Sequence, residues 1–201
     1  MAATYFSANE IAFTRGVTVF DPAQMFLLGG RSLDSRIPYL PWTAVIYHIA
    51  YVALLMTPVL AYPRNEKGTS ELFQLYSGVI TISLAACTVF IVCPAEMTLR
   101  SSATFQHNAS LWHEFNLSLY TIDRPFNTWP SLHVAQTGLV TLMMTHWLRR
   151  RSWAVFLWAV WAALVISTLT TKQHFIWDVI TGSGLAAAYW QWKLRPINQS
   201  Q

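Results

Sequence analysis

Five long apolar segments, almost free of charged residues, restrict the fold of this chain more than any other feature. They run at about 42–62, 72–92, 131–148, 153–169 and 175–192. A helix that crosses a bilayer needs about 20 consecutive, mostly apolar residues, which is the length of these segments. Only 11% of all residues are charged, against about 25% in an ordinary soluble protein. The pattern predicts an all-α fold, a polytopic transmembrane helical bundle with five clear spans.

The N-terminal residues 1–36 have a different character. They mix polar and apolar groups around Gly29-Gly30, and no run reaches the length of a span. We expect an interfacial, partly helical arm here, with an atypical sixth span as the alternative. No basic segment followed by an apolar one and a cleavage site begins the chain, so no removable signal peptide is predicted. Residues 1–201 are expected to form one integral membrane domain, with its transmembrane core at 42–192.

Short basic clusters between the apolar segments predict the orientation in the membrane. The strongest is the triple-arginine run at 149–151, and cytoplasmic loops are enriched in such residues. Placing this run inside leaves the long connection at 93–129 on the extracytoplasmic side of a plasma or inner membrane. Apolar residues recur at helical spacing in 111–120, which predicts an amphipathic helix in the headgroup layer. The net charge of +4 is accounted for by these clusters and does not indicate binding to nucleic acid.

Two histidines stand at the starts of the third and fifth apolar segments. His174 and Asp178 are four residues apart, so on a helix they share one face. The carboxylate can accept the Nδ1 proton of the imidazole and leave Nε2 with a free lone pair. His133 directly follows the Pro-Ser-Leu run at 130–132. The predicted orientation brings both histidines to the extracytoplasmic side, at helix N-termini that carry free N–H groups and partial positive charge.

This setting favours an anion, and specifically a phosphate group. Ser131 would add a hydroxyl donor, and three basic residues are expected within reach, namely Arg100, Arg124 and Lys172. Two histidines that face an anion site, one of them held by a carboxylate, indicate phosphoryl transfer. One would attack phosphorus and the other would protonate the leaving oxygen.

The same residues could serve two other uses. His133, His174 and Asp178 could form a three-ligand metal site with water in the fourth position, but the basic surroundings would repel a cation. His174 and Asp178 could also be a buried structural pair, although a carboxylate inside a membrane is costly enough to indicate function. Cys87 and Cys93 lie on different helix faces, so neither a disulfide nor a metal site is suggested. No metal and no cofactor are predicted.

Two motifs carry a resemblance to a known family. The Pro-Ser-Leu-His run at 130–133 resembles the Pro-Ser-x-His motif of the type 2 phosphatidic acid phosphatase superfamily. The Ser-Thr-x5-His-x3-Asp run at 167–178 is similar to its Ser-Arg-x5-His-x3-Asp motif. The resemblance covers about 33–190 and implies a six-helix core with metal-independent phosphoester chemistry. By position it implies a nucleophile at His174, its partner at Asp178, a general acid at His133 and a phosphate donor at Ser131.

The chain also departs from the family pattern. The run at 33–42 looks more like the branch that includes inositol phosphorylceramide synthases. The first family motif, a lysine seven residues before Arg-Pro, is missing, because Leu117 holds the lysine position before Arg124-Pro125. Arg100 is the one cation of a better-placed remnant, and Thr168 replaces the arginine of the third motif. A site with fewer fixed cations favours a phosphodiester, with one negative charge, over a monoester dianion. A phosphodiester substrate would allow transfer of a head group between lipids.

The sequence therefore predicts a membrane enzyme that cleaves a lipid phosphoester at the extracytoplasmic interface through a phosphohistidine. Hydrolysis of a lipid phosphate is the first choice, and transfer of a phospho-head group to an acceptor lipid hydroxyl is the alternative. A function of a different class is the second alternative, in which the chain is a non-catalytic scaffold or a lipid transporter. The complete set of His133, His174 and Asp178 argues against that class, since a silent descendant would not need all three. The expected partners are the bilayer and the lipid substrates.

Overall fold

The computed structural model describes residues 2–104, 110–148 and 150–195. Within these ranges the chain forms eight α-helices and one two-stranded antiparallel pair, so the predicted all-α class is confirmed. The helices are α1 Ala2–Arg15, α2 Thr43–Ala61, α3 Glu66–Val92, α4 Leu99–Thr104, α5 Leu111–Ile122, α6 Leu132–Trp147, α7 Arg151–Thr170 and α8 Ile176–Tyr189. A π-helical turn at Trp190–Leu194 continues α8, and the strands are β1 Leu27–Leu28 and β2 Arg31–Ser32.

Among the described residues, three helices, α2, α3 and α7, are long and apolar enough to cross a membrane. All five apolar segments are helical, but α6 has 16 residues and α8 has 14. At 1.5 Å per residue these helices are about 24 and 21 Å long, shorter than a hydrocarbon core of about 30 Å. The predicted count of five spans is therefore not confirmed.

Helix α6 lies at the centre of the bundle and packs against α2, α3, α7 and α8. Its contact with α8 is close because α8 presents Gly182 there. A Cβ atom at this position would lie 2.5 Å from the carbonyl oxygen of Ser131. The small-residue run that begins at Gly182 lets the helices approach in this way. The approach brings together the two helix starts that carry the histidines.

One end of the bundle has a cluster of basic residues, and His133 and His174 lie at the other end. Trp147, at the end of α6, donates its indole N–H to Glu71 near the start of α3 at 2.6 Å, so these two ends lie together. The described basic residues of the loops and tail at this end are Arg64, Lys67, Arg150, Arg151, Lys193 and Arg195. Arg149 of the triple-arginine run lies outside the described residues. The starts of α6 and α8 lie at the opposite end.

Helix α1 is the helical part of the predicted N-terminal arm, and it packs along α3. Ala8 and Ala12 are buried in this contact. Asn9 donates its amide hydrogens to the Asp123 carboxylate at 3.1 Å and to the Arg124 carbonyl at 3.0 Å. Tyr5 donates its hydroxyl to the same carboxylate. With 14 residues, α1 is shorter than a span and is instead part of the wall around the histidines.

Helix α5 exposes apolar side chains and buries polar ones. Leu111 is 87% exposed, whereas His113 and Asn116 are buried. Asn116 donates to the hydroxyl of Tyr39 at 3.0 Å and to the carbonyl of Thr171 at 3.4 Å. An apolar outer face of this kind fits contact with lipid. The amphipathic helix predicted in the long connection is present, and its polar face anchors the loop between α7 and α8.

Candidate active site

The loop between α7 and α8 turns His174 towards the centre of the bundle. The carbonyl of Thr168 accepts hydrogen bonds from the amides of both Gln173 and His174, at 3.0 and 3.2 Å. Lys172 has a φ of 54°, in the left-handed region. Its ammonium group donates to the carbonyls of Asp34 and Ile37 at 3.0 and 2.6 Å. The segment before α2 thus holds this loop in place. His174, at the end of the loop, is buried.

His174 and Asp178 meet, although the carboxylate is not the nearest acceptor. The Nδ1 atom of His174 lies 3.5 Å from Asp178 Oδ2 and 3.0 Å from the carbonyl oxygen of Thr128. Both are acceptors only, so the hydrogen-bond network assigns the neutral ring a proton on Nδ1 and a lone pair on Nε2. Asp178 Oδ2 also accepts the backbone N–H of Phe175 at 2.8 Å. A carboxylate in this position can stabilise positive charge on the imidazole.

The Thr128 carbonyl is held in place by the long connection. The hydroxyl of Thr128 donates to the carbonyl of Ala95 at 3.0 Å, and the amide of Met97 donates to the carbonyl of Pro125 at 2.7 Å. A β-bridge pairs Ala95 with Asn127. Sequence reasoning missed Thr128 because every residue has a carbonyl, so its type carries no signal.

His133 links His174 to a tyrosine of α2. Its Nδ1 lies 3.3 Å from His174 Nε2, and its Nε2 lies 2.6 Å from the hydroxyl oxygen of Tyr47. Because His174 Nε2 has no proton, His133 Nδ1 is the donor in this pair. Its Nε2 then accepts the hydrogen of the Tyr47 hydroxyl. Tyr47 lies within a nearly continuous apolar segment, so only the packing of α2 against α6 reveals this contact.

The helix starts are already capped by groups of the protein. Ser131 is the N-cap of α6, where its hydroxyl accepts the amide of Val134 at 3.4 Å, and it is fully buried. At α8, Asp178 accepts the amide of Phe175, and Asp34 accepts the amide of Ile176 at 2.7 Å. The free N–H groups expected there are therefore occupied in part. The sequence did not predict this role of Asp34, because nothing in its position indicates that it caps α8, a helix far away in the chain.

The three expected phosphate-binding cations have different surroundings. Arg100 is buried, and its guanidinium contacts the Gln173 side chain and the carbonyl and carboxylate of Asp123. Arg124 instead pairs with the exposed Glu10 at 3.4 Å. Lys172 is held by backbone carbonyls, and burial lowers the pKa of its amine, an effect opposed in part by Asp34. Only Arg100 directly contacts a side chain next to His174.

In the part of the chain that the structure describes, two cavities reach His133. The larger, about 540 Å³, lies between α1, α2, α3 and α6 and is mostly apolar. The smaller, about 170 Å³, is bounded by α1, α2 and α5 and includes the polar groups of Asp123 and Gln173. Tyr5 and Phe6 of α1 line both cavities. His133 is thus accessible to a molecule with an apolar part and a polar part, and His174, which lines neither cavity, lies directly behind it at 3.3 Å.

The metal alternative has no geometric support within the described ranges. No group of three or more His, Cys, Asp or Glu side chains there is arranged to hold a metal ion. Asp178 Oδ2 instead lies 3.5 Å from His174 Nδ1 and caps an amide. This contact fits a carboxylate that orients the imidazole.

A family model described as the PAP2 superfamily matches residues 31–192, which includes both histidines and leaves α1 outside the match. No curated protein and no solved structure matches the chain.

Proposed function

Because the chain belongs to the PAP2 superfamily, we propose that it is a membrane enzyme that hydrolyses a lipid phosphate through a phosphohistidine intermediate. The observation that carries this proposal is the histidine pair, with 3.3 Å between His133 Nδ1 and His174 Nε2, next to an apolar cavity. The active site is expected to face the extracytoplasmic side of a plasma or inner membrane. Neither a metal nor a cofactor takes part in the proposed chemistry.

The first step is attack by His174. The phosphoryl group enters between the two rings and replaces their direct contact, so that Nε2 can form a bond to phosphorus. Positive charge then develops on the His174 ring, where the Asp178 carboxylate stabilises it, as in other histidine–carboxylate pairs. The bond from phosphorus to the lipid oxygen breaks, and Arg100, which contacts Gln173 next to His174, is the cation proposed to neutralise the phosphoryl oxygens.

His133 supplies the proton for the leaving oxygen. An incoming phosphate anion favours the doubly protonated form of His133, in which Nε2–H donates to the Tyr47 oxygen and Nδ1–H faces the lipid oxygen. After this proton is transferred, His133 keeps the Nε2 proton and has a lone pair on Nδ1. Water then attacks the phosphohistidine, gives its proton to Nδ1 and breaks the bond between phosphorus and His174. His133 is then doubly protonated again, and its Nε2 proton, taken up from solvent when the substrate bound, is lost as the phosphate leaves, so both histidines return to their starting states.

The test compares two variants on two substrates. Purified protein is incubated with a labelled lipid phosphate and with an activated aryl phosphate. We expect His174→Ala to form no phosphoenzyme with either. We expect His133→Ala to lose about 10²–10⁴ in rate on the lipid and to regain much of the phosphoenzyme, seen as an acid-labile, base-stable adduct, on the aryl ester. Rescue of His174→Ala by the aryl ester would reverse the two roles. Loss of activity in a chelator, restored by zinc, would contradict the phosphohistidine mechanism.

Transfer to a second lipid is the alternative, and the distribution of cations favours it. Thr168 stands where the family motif has arginine, while Lys172 and Arg124 are engaged elsewhere. This leaves Arg100, which is itself paired with the Asp123 carboxylate, to balance the phosphate, and so little fixed positive charge suits a phosphodiester with one negative charge. An acceptor hydroxyl would replace water in the second step, as in the inositol phosphorylceramide synthase branch. A new labelled lipid that forms only when acceptor lipid is added would establish transfer, whereas free phosphate alone would establish hydrolysis.

A further inference from the structure

The larger cavity has the shape of a lipid chain site. It runs along α3 from Cys87, near the level of His133, to Ile80, a distance of about 10 Å at 1.5 Å per residue. Phe6, Ile80 and Leu84 line it and are also exposed, so the cavity opens sideways onto the surface that would face lipid. Its α1 wall lies outside the region matched by the family model.

A polar trio interrupts this apolar wall next to the histidines. Tyr51 donates its hydroxyl to the Gln136 side-chain oxygen at 2.6 Å, and Gln136 donates an amide hydrogen to Ser83 at 2.7 Å. Gln136 is 4% exposed and lines the cavity. A glutamine amide has two hydrogens to donate, and the described contacts use one of them. The other is available to an acceptor within the cavity.

The position of Gln136 relates it to the chemistry at His133. It follows His133 by three residues on α6, about 4.5 Å further along the helix axis. In an acyl lipid phosphate, an ester or amide carbonyl is separated from phosphorus by a few bonds, and the hydrocarbon chain follows it. A phosphoester at His133 and His174 would therefore bring such a carbonyl to the level of Gln136 and the chain into the cavity.

We propose that this cavity binds an acyl chain of the substrate and that Gln136 donates a hydrogen bond to the ester or amide carbonyl of that chain. The inference rests on the proposed function, because it takes the phosphoester to lie at the histidine pair. The hydrogen bond from Gln136 would select acyl lipid phosphates over isoprenoid or simple alkyl phosphates, because the latter have no carbonyl at this distance from phosphorus. A purely structural trio, which ties α2 and α3 to α6, would not discriminate between these substrates.

The first experiment measures that discrimination. The substrates are a monoacylglycerol phosphate and an n-alkyl phosphate of equal chain length. Gln136→Leu is expected to lower kcat/KM for the acyl substrate about three- to tenfold more than for the alkyl substrate, as for loss of one hydrogen bond. Thr141→Val is the control, because its hydroxyl bonds only to the Thr137 carbonyl of its own helix. Equal losses on both substrates, or no loss on the acyl one, would overturn the role of Gln136.

A second experiment does not depend on turnover. A lipid phosphate with a photoactivatable group in its acyl chain is bound to the His174→Ala variant and irradiated. Labelling of peptides that contain Phe6, Ile80 or Leu84 is expected, and Leu84→Trp, at an exposed position of the wall, should reduce it. Labelling of these peptides without turnover by wild-type protein would refute the proposed function and keep the cavity assignment. Turnover with labels elsewhere would refute the cavity assignment alone.

Discussion

Tyr47 and Thr128 hold the two histidines from opposite ends. The Thr128 carbonyl determines which nitrogen of His174 has the lone pair, and the Tyr47 hydroxyl contacts the outer nitrogen of His133. A hydroxyl can both donate and accept, so Tyr47 suits His133 before and after proton transfer. This makes Tyr47 a positioning residue for the proposed general acid, one that acts through His133 and does not touch the substrate.

Replacing Tyr47 with Phe should separate this role from simple packing. The variant keeps the ring, whose centroid lies 4.8 Å from that of His133, and removes the hydroxyl. We expect kcat on a lipid phosphate to fall about tenfold, in line with one lost hydrogen bond, with little change on an activated aryl phosphate. Tyr76→Phe is the matched control, because its hydroxyl donates to the Leu55 carbonyl away from the site. A similar loss on both substrates would mean that Tyr47 is only structural.

Among the helices, the contact of α6 with α8 decides where the histidines meet. Each histidine lies within two residues of a helix start, so any change in the distance between these starts changes the spacing of His133 and His174. At Gly182 there is no room for a Cβ atom against the Ser131 backbone, whereas Gly184, two residues further on, has open space around it. The two glycines lie on the same helix, which makes them a matched pair for testing this contact.

Gly182→Ala and Gly184→Ala should have opposite effects on stability. Alanine favours a helix by about 1 kcal/mol over glycine, so Gly184→Ala should raise the unfolding temperature or leave it unchanged. At 182 the added Cβ meets the backbone oxygen of Ser131, which cannot move aside without shifting α6. Overpacking of this kind costs about 1–3 kcal/mol, so the unfolding temperature in detergent and the activity should both fall. Equal behaviour of the two variants would refute the close contact.

At the scale of the whole molecule, the cluster of Arg150 and Arg151 lies at the end of the bundle opposite His133 and His174. Positive residues mark the cytoplasmic ends of membrane helices, so the site is predicted to face outwards. The exposed apolar faces of α2, α3 and α7 then lie in the bilayer, and α5 lies at its outer surface. This orientation determines which side of the membrane supplies the substrate.

Cysteine labelling tests this orientation. Single cysteines are introduced at Ser110, before α5, and at Ser152, in the first turn of α7, in a background without Cys87 and Cys93. An impermeant thiol reagent added to intact cells should label the first and not the second, while both should react after the cells are opened. Labelling of Ser152→Cys alone in intact cells would place the proposed active site in the cytoplasm.

The sequence by itself determined the helical class, the positions of the apolar helices and the pairing of His174 with Asp178. These features depend on composition and on spacing along one helix, which a linear pattern records. Only the tertiary structure brought Tyr47, Thr128 and Asp34 to the site. Such contacts join residues far apart in the chain, and two of the groups involved, a carbonyl and a tyrosine in an apolar segment, have no distinctive sequence pattern.

The three predicted phosphate-binding cations also show what the sequence cannot determine. Their charge made Arg100, Arg124 and Lys172 reasonable phosphate ligands, because sequence reasoning can judge sign and approximate location. The partner of each one depends on which acceptors the folded chain brings nearby. Packing gave Lys172 two backbone carbonyls and Arg124 an exposed glutamate, and it placed Arg100 against Gln173. The charge of a residue can be read from the sequence. Which groups that charge contacts depends on the buried neighbours that the folded chain brings together.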